Sequence, residues 1–229
     1  MHLLENLDIF PVLLTLSAFE VGQLCQKRWK KPIFNPTLIG MVLVIAFLLV
    51  TGMNPGAYTQ SMKQISWLMS PATICLAIPM YEQFRVLKKS LKAIVIGVAA
   101  GAFSCLLVIL MAGLLLGFEQ PVLISLLPKS VTTAIGVALS ELFGGMAGVT
   151  TAAIIVTGIG GNMMASMLCK LFGITDPVAQ GVALGTSAHV IGTAKANEIG
   201  ELTGAASSLS LVVAGLLTAV AMPLLAQLL

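Results

Sequence analysis

The stretch ALGTSAHVIGTAKANEIGE (residues 183–201) opens like a membrane helix and then gathers His189, Lys195, Glu198 and Glu201. Its surroundings say how to read it. Of 229 residues 58% are hydrophobic and 9% charged, and the mean hydropathy is +1.02. A soluble domain carries about 25% charged residues, so this chain has too few polar groups to cover a surface that faces water. Several apolar runs reach the roughly 20 residues a bilayer-spanning helix needs. They are continuous rather than alternating, and lipid admits only helices or closed barrels. The expectation is an all-α polytopic membrane protein, with one membrane domain over 1–229.

Working outward, spans are expected at about 7–26, 35–52, 64–82 and 93–117, so 1–117 carries the first four helices. The N-terminus has Glu5 and Asp8 where a cleaved signal would have Lys or Arg, so the first helix is expected to stay. Lys27, Arg28, Lys30 and Lys31 follow the first span, and Arg85, Lys88, Lys89 and Lys92 follow the third. These hold eight of the twelve Lys and Arg. By the positive-inside rule both clusters are cytoplasmic and the N-terminus lies outside. In the second half, 149–172 and 207–228 read as clean spans. Residues 121–143 and 178–197 are only moderately apolar and rich in Gly, Ser and Thr. Either both cross, giving eight spans, or both are re-entrant or broken segments entering from opposite faces, beside six full transmembrane helices.

Proline and small residues mark places where helices open or approach closely. Pro71 and Pro79 in the third span, and Pro128 in the fifth segment, each remove a backbone donor. Breaks of this kind persist in lipid only where protein, water or ligand satisfies the freed carbonyls, which makes all three candidates for lining a site. Gly97 with Gly101, and Gly113 with Gly117, have the spacing of close helix packing. Gly181 and Gly185, continued by Ala188 and Gly192, combine that spacing with the polar stretch. The four cysteines are scattered singly and read as packing residues.

Ionisable and polar groups at membrane depth default to functional candidates. Glu20 lies near the end of its span and reads as structural. Lys129 precedes a hydroxyl-rich turn of Ser130, Thr132 and Thr133. Asn162 interrupts the next span after Gly158-Ile-Gly-Gly. On a continuous helix His189 and Thr193 share a face near Ser187, while Lys195 points away from both. Ser187, His189 and Thr193 therefore form an inner polar face, and Lys195 pairs with Glu198 at the membrane boundary. The plain alternative for His189 is a packed ring bonded to a backbone carbonyl. Ser130 and Glu141 are eleven apart, as are Ser187 and Glu198, each pair enclosing Ile-Gly. Such an echo is expected of an internal repeat. No hydrolase, metalloprotease or nucleotide-binding motif is present, so an enzyme is not expected.

LLPKSVTTAIGVA (126–138), DPVAQGVALGTSAHVIGTAKANEIGE (176–201) and GAASSLSLVVAG (204–215) resemble hallmark segments of the CidB/LrgB family. Asn35-Pro36-Thr37-Leu38 and SPATICLAIPMYEQ (70–83) are similar to its earlier motifs. Where that family commonly has proline after Val-Thr-Thr, this chain has Ala134, which implies a softer helix break there. The resemblance implies a multi-pass protein of the bacterial cytoplasmic membrane, working with a small CidA/LrgA-type membrane protein. It implies one of two roles. The first is carriage of small monocarboxylates such as pyruvate, glycolate or glycerate. The second is holin/antiholin-like control of murein hydrolase export and cell lysis. A carboxylate with a neighbouring oxygen suits Lys129 and the hydroxyls, and His189 could carry a coupled proton. A homo-oligomer is expected; no cofactor, metal or nucleic acid is.

Overall fold

The computed structural model describes residues 9–29, 34–68, 71, 74–75 and 77–227. Glu5, Asp8, Lys30, Lys31 and Ser70 lie outside the described residues. Every regular element among those described is a helix, and the chain divides after residue 75 into two compact units.

The first unit holds α1 (Phe10–Trp29), α2 (Pro36–Thr51), α3 (Pro55–Ser61) and α4 (Lys63–Ser66). Asparagine followed by proline starts two of them. Asn35 Oδ1 accepts from Thr37 N at 2.9 Å, and Asn54 Oδ1 from Gly56 N at 2.8 Å, each satisfying an amide that the first helical turn leaves open. Residues 53–63, left between the second and third expected spans, therefore contain helix α3. A Cβ on Gly22 would meet the backbone of Pro36, so α1 and α2 approach closely there. Pro71 is exposed. Within the expected third span Trp67 and Leu68 form a turn, and the described residues after it, 71, 74–75 and 77–82, are helical.

The second unit begins with α5 (Ala77–Glu82), which contains Pro79, and α6 (Phe84–Leu116). The basic cluster 85–92, which lies between the third and fourth expected spans, forms the first turns of α6. Lys, Leu and Arg are strong helix formers, and no glycine or proline interrupts them. We call this the basic end of the unit. Three helices here are long and apolar enough to cross a membrane: α6, α9 (Ala147–Leu171) and α11 (Glu201–Ala226). Large apolar side chains such as Val108, Leu115, Val156 and Val220 stand exposed on them, as lipid contact allows.

Between α6 and α9 the chain doubles back. Gly113 of α6 faces Leu123 of α7 (Gln120–Leu126), and Cys105 faces Ser130, so α7 runs antiparallel to α6 toward its middle. At Pro128 the helix stops, because Pro128 cannot donate to the carbonyl one turn back. Tighter bonds replace the regular ones, from Lys129 N to Leu126 O (3.1 Å) and from Val131 N to Pro128 O (3.3 Å). Helix α8 (Thr133–Leu142) then returns along α9, with Gly136 opposite Ile154 and Ser140 accepting from Thr150 Oγ1 at 2.7 Å. Its far end comes back to α7, where Met146 N donates to Ser125 Oγ at 2.7 Å. A segment crossing straight through would hold residues 125 and 146 far apart.

The second reversal lies inside α10 (Pro177–Ile199), at His189, with φ 42° and ψ −134°. His189 is the one non-glycine residue with positive φ among those described. A Cβ on Gly192 would lie 2.5 Å from the carbonyl oxygen of Leu184, although residues eight apart in a straight helix are about 12 Å apart. Leu184 and Ala196 also share a buried cluster with Ala165 of α9. The backbone of Ser207 in α11 meets Gly185 of the first arm, and its hydroxyl meets Thr193 of the second at 2.9 Å. Residues 177–188 and 190–199 are thus two arms of a hairpin.

The two tips lie at one height along α6 and α9. On α6, Cys105 touches the first tip and Gly101 faces Thr186 near the second. On α9, the side chain of Ile154 faces Gly136, and its carbonyl accepts from His189. The run helix–hairpin–helix occurs twice, α6 to α9 and α9 to α11, in opposite directions. In both hairpins a glycine packs on a carbonyl eight residues earlier: Gly136 on Pro128, Gly192 on Leu184.

Candidate functional site

Below the first tip lies a cavity of about 610 Å³, walled by α6, α9 and the first arm of α10. Small residues open it. Gly97 and Gly101 face Val182 and Thr186, and Gly161 receives the Cβ of Ala188. The polar groups come from four places: Ser104 of α6, Lys129 and Ser130 of the first tip, Thr157 of α9, and Thr186 and Ser187 of α10.

Lys129 and Ser130 are held at the cavity because Pro128 ends α7 just before them. Lys129 Nζ donates to Ser130 Oγ at 3.4 Å, and Ser130 Oγ lies 3.1 Å from Cys105 Sγ. The described residues give Lys129 no carboxylate partner. Ser187 donates to Ala183 O at 2.6 Å, with both of its oxygen lone pairs still able to accept. Thr186 is 7% exposed, and its hydroxyl has no hydrogen-bond partner in the described structure. A lysine without a counter-charge, among hydroxyls in an otherwise apolar pocket, is a ready receptor for one small anion.

Of the residues singled out from sequence, Lys129, Ser130 and Ser187 line this cavity together. The others have different work. His189 is 3% exposed, and its Nε2 donates to Ile154 O at 2.9 Å. Gly158 leaves the room its ring occupies. Asn162 Nδ2 donates to Ile191 O at 3.1 Å, satisfying a carbonyl just past the reversal. Thr193 Oγ1 donates to His189 O at 3.0 Å and meets Ser207 Oγ. These three hold the second tip in place and are not among the lining residues. Thr132 is half-buried at the start of α8, while Thr133 and Glu141 are exposed. Pro128 is buried. The side chain of Pro79 lies outside the described residues. Lys195 pairs with Glu198 at 2.7 Å on the surface.

Sequence reasoning missed Ser104, Thr157 and Thr186. Their signal is helical spacing: Gly97, Gly101 and Ser104 follow by four and three residues on α6, Thr157 and Gly161 by four on α9, and Val182 and Thr186, like Ala183 and Ser187, by four on α10. Gly97 and Gly101 are packing glycines and cavity walls at once. Gly117 departs from the packing expectation: it ends α6 with φ 67° and touches nothing.

A family model described as the LrgB-like family matches residues 15–228, essentially the whole chain. No solved structure matches. The chain belongs to the LrgB-like family, a family of membrane proteins.

Proposed function

From that membership, we propose that the protein is a secondary transporter, or the solute-carrying subunit of one, for small monocarboxylates such as pyruvate, glycolate or glycerate. The observation that carries this reading is Lys129, without a carboxylate partner, set with Ser130, Thr157, Thr186 and Ser187 around one cavity between two helix reversals. Transporters bind solute at such interruptions, where backbone and hydroxyl groups left out of helices can face it. A single lysine balances one carboxylate, and a hydroxyl beside it can serve the oxygen on the next carbon.

In this reading the basic end of α6 is cytoplasmic, and the N-terminus is outside. The α7–α8 hairpin enters from the outer face and the α10 hairpin from the inner face, leaving six full spans in a bacterial cytoplasmic membrane. Lys170, in the last turn of α9, then falls on the inner side with the basic cluster. The protein is not an enzyme and needs no cofactor. Its partners are the lipid bilayer, a second copy of itself and a small CidA/LrgA-type membrane protein.

The test is counterflow of labelled pyruvate, glycolate and lactate into liposomes holding this protein, alone and with that partner. Saturable uptake that unlabelled substrate competes away is the expected result. Leakage without saturation would replace this reading with the alternative, a holin/antiholin-like modulator of murein hydrolase export and lysis.

A further inference from the structure

We infer that the fold holds the cavity open toward the basic end of the second unit and shut at the other end. Lys129 and Ser130 form the roof of a one-sided path between α6, α9 and the first arm of α10. The inference rests on the transport reading only for the identity of the solute.

Three observations carry it. The first is where the lining residues lie. The tip of the first hairpin meets α6 at Cys105, and apart from the exposed Val108 one turn beyond it the walls continue to Gly97 on α6, to Leu168 on α9 and to Val182 on α10. Each of those lies toward the basic end. The second is what fills the space beyond the roof. Leu106 and Ile109 of α6, Leu123 and Ile124 of α7, Leu127 and Met222 make a buried apolar cluster, and packing at interior density leaves no route for a hydrated anion. The third is a second cavity, of about 390 Å³, nearer the basic end. It shares Gly97, Val182 and Ala183 with the first, and its walls reach Ser90 and Asp176. Ser90 lies among the basic turns of α6, and Asp176 caps the start of α10.

The roof therefore has a solute-facing underside that carries charge and hydroxyl, and an apolar upper side packed against α6 and α11. Passage to the other face requires the α7–α8 tip to part from Leu106 and Met222. On the described packing the second hairpin does not block the path, because its first arm is one of the walls.

Single-cysteine labelling in vesicles tests this. In a background with Cys25, Cys75, Cys105 and Cys169 replaced by serine, Ala183→Cys and Ser187→Cys are exposed to a membrane-impermeant charged methanethiosulfonate from either side. Lys92→Cys marks the basic end and Glu119→Cys the opposite end. Both cavity cysteines should react from the Lys92 side about tenfold faster than from the Glu119 side, as when the alternative state holds about a tenth of the population or less. Equal rates, faster reaction from the Glu119 side, or no reaction in protein that elutes as a folded species would overturn the inference. Pyruvate, glycolate and lactate are then added to the labelling. One-sided reaction that none of them slows keeps the path and discards the carboxylate reading.

Discussion

The two hairpins do the same thing with different chemistry. The first turns over six residues, 127–132, and its break is local: Pro128 cannot continue α7, and Ser130 and Thr132 follow it. The second turns at one residue, His189, whose backbone sits in a region that costs a residue with a Cβ about 1–3 kcal/mol. That conformation is imposed from outside. Ile154 O receives the imidazole, Gly158 makes room for it, Asn162 holds Ile191, and Ser207 holds Thr193. A turn written into its own residues can carry a functional charge at its tip. A turn held by its neighbours uses its polar side chains to stay turned.

The second hairpin is most vulnerable to substitution at its clamps. Gly185→Leu places a side chain against the backbone of Ser207, where α10 and α11 meet. Overpacking of this kind costs about 1–3 kcal/mol, occasionally more, and here the obstacle is backbone rather than a flexible side chain. Loss of folded protein on size-exclusion chromatography is expected, and a normal yield would mean that the two arms do not clasp α11 as described. Next comes Lys129→Gln. A hydrogen bond to a charged group contributes about 1.5–3 kcal/mol, so substrate affinity in counterflow should fall roughly 10–100-fold, with thermal stability little changed. Unchanged affinity would remove Lys129 from the site.

Thr186→Val sharpens the contrast between a polar group kept for a ligand and one kept for the fold. An unpaired buried hydroxyl costs about 1–3 kcal/mol, so the near-isosteric valine should raise the melting temperature while weakening substrate binding. If both fall, the hydroxyl has a structural partner. The smallest difference separates two variants of one residue. His189→Gly and His189→Ala both lose the bond to Ile154, but glycine also relieves the positive φ. Glycine should be the more stable of the two by about 1 kcal/mol or more in a denaturation series. Equal stabilities would mean that the reversal is not strained.

These contrasts explain what could be read from sequence. The two interrupted segments, the charge asymmetry and the family were legible because proline, glycine spacing and lysine clusters act locally. Lys129, Ser130 and Ser187 were legible as polar groups in apolar runs. The role of His189 was not, since on a continuous helix it shares a face with Thr193, and only the reversal sends the ring to Ile154 and Thr193 to Ser207. Thr186 sits in the same stretch and was passed over, because its four-residue spacing from Val182 marks a helix face without saying that this face, like that of Ser187, meets a cavity. That takes the position of α6, some eighty residues earlier in the chain, and no short-range pattern contains it.

Gly200 is the whole connection between α10 and α11. Its φ of 169° is extended backbone open to any residue, and a Cβ there would meet nothing, so Gly200→Ala should be silent. What matters is the length of the joint. One residue pins the foot of the second arm to the foot of α11, leaving no slack for either to slide along the other. Motion of that hairpin is confined to swinging about a fixed heel. The first hairpin, joined by residues 117–119 before it and 143–146 after it, has play at both feet. As a mechanical linkage, the unit has one hinge-bound plate and one loosely hung flap, and the flap is the one with the lysine on it.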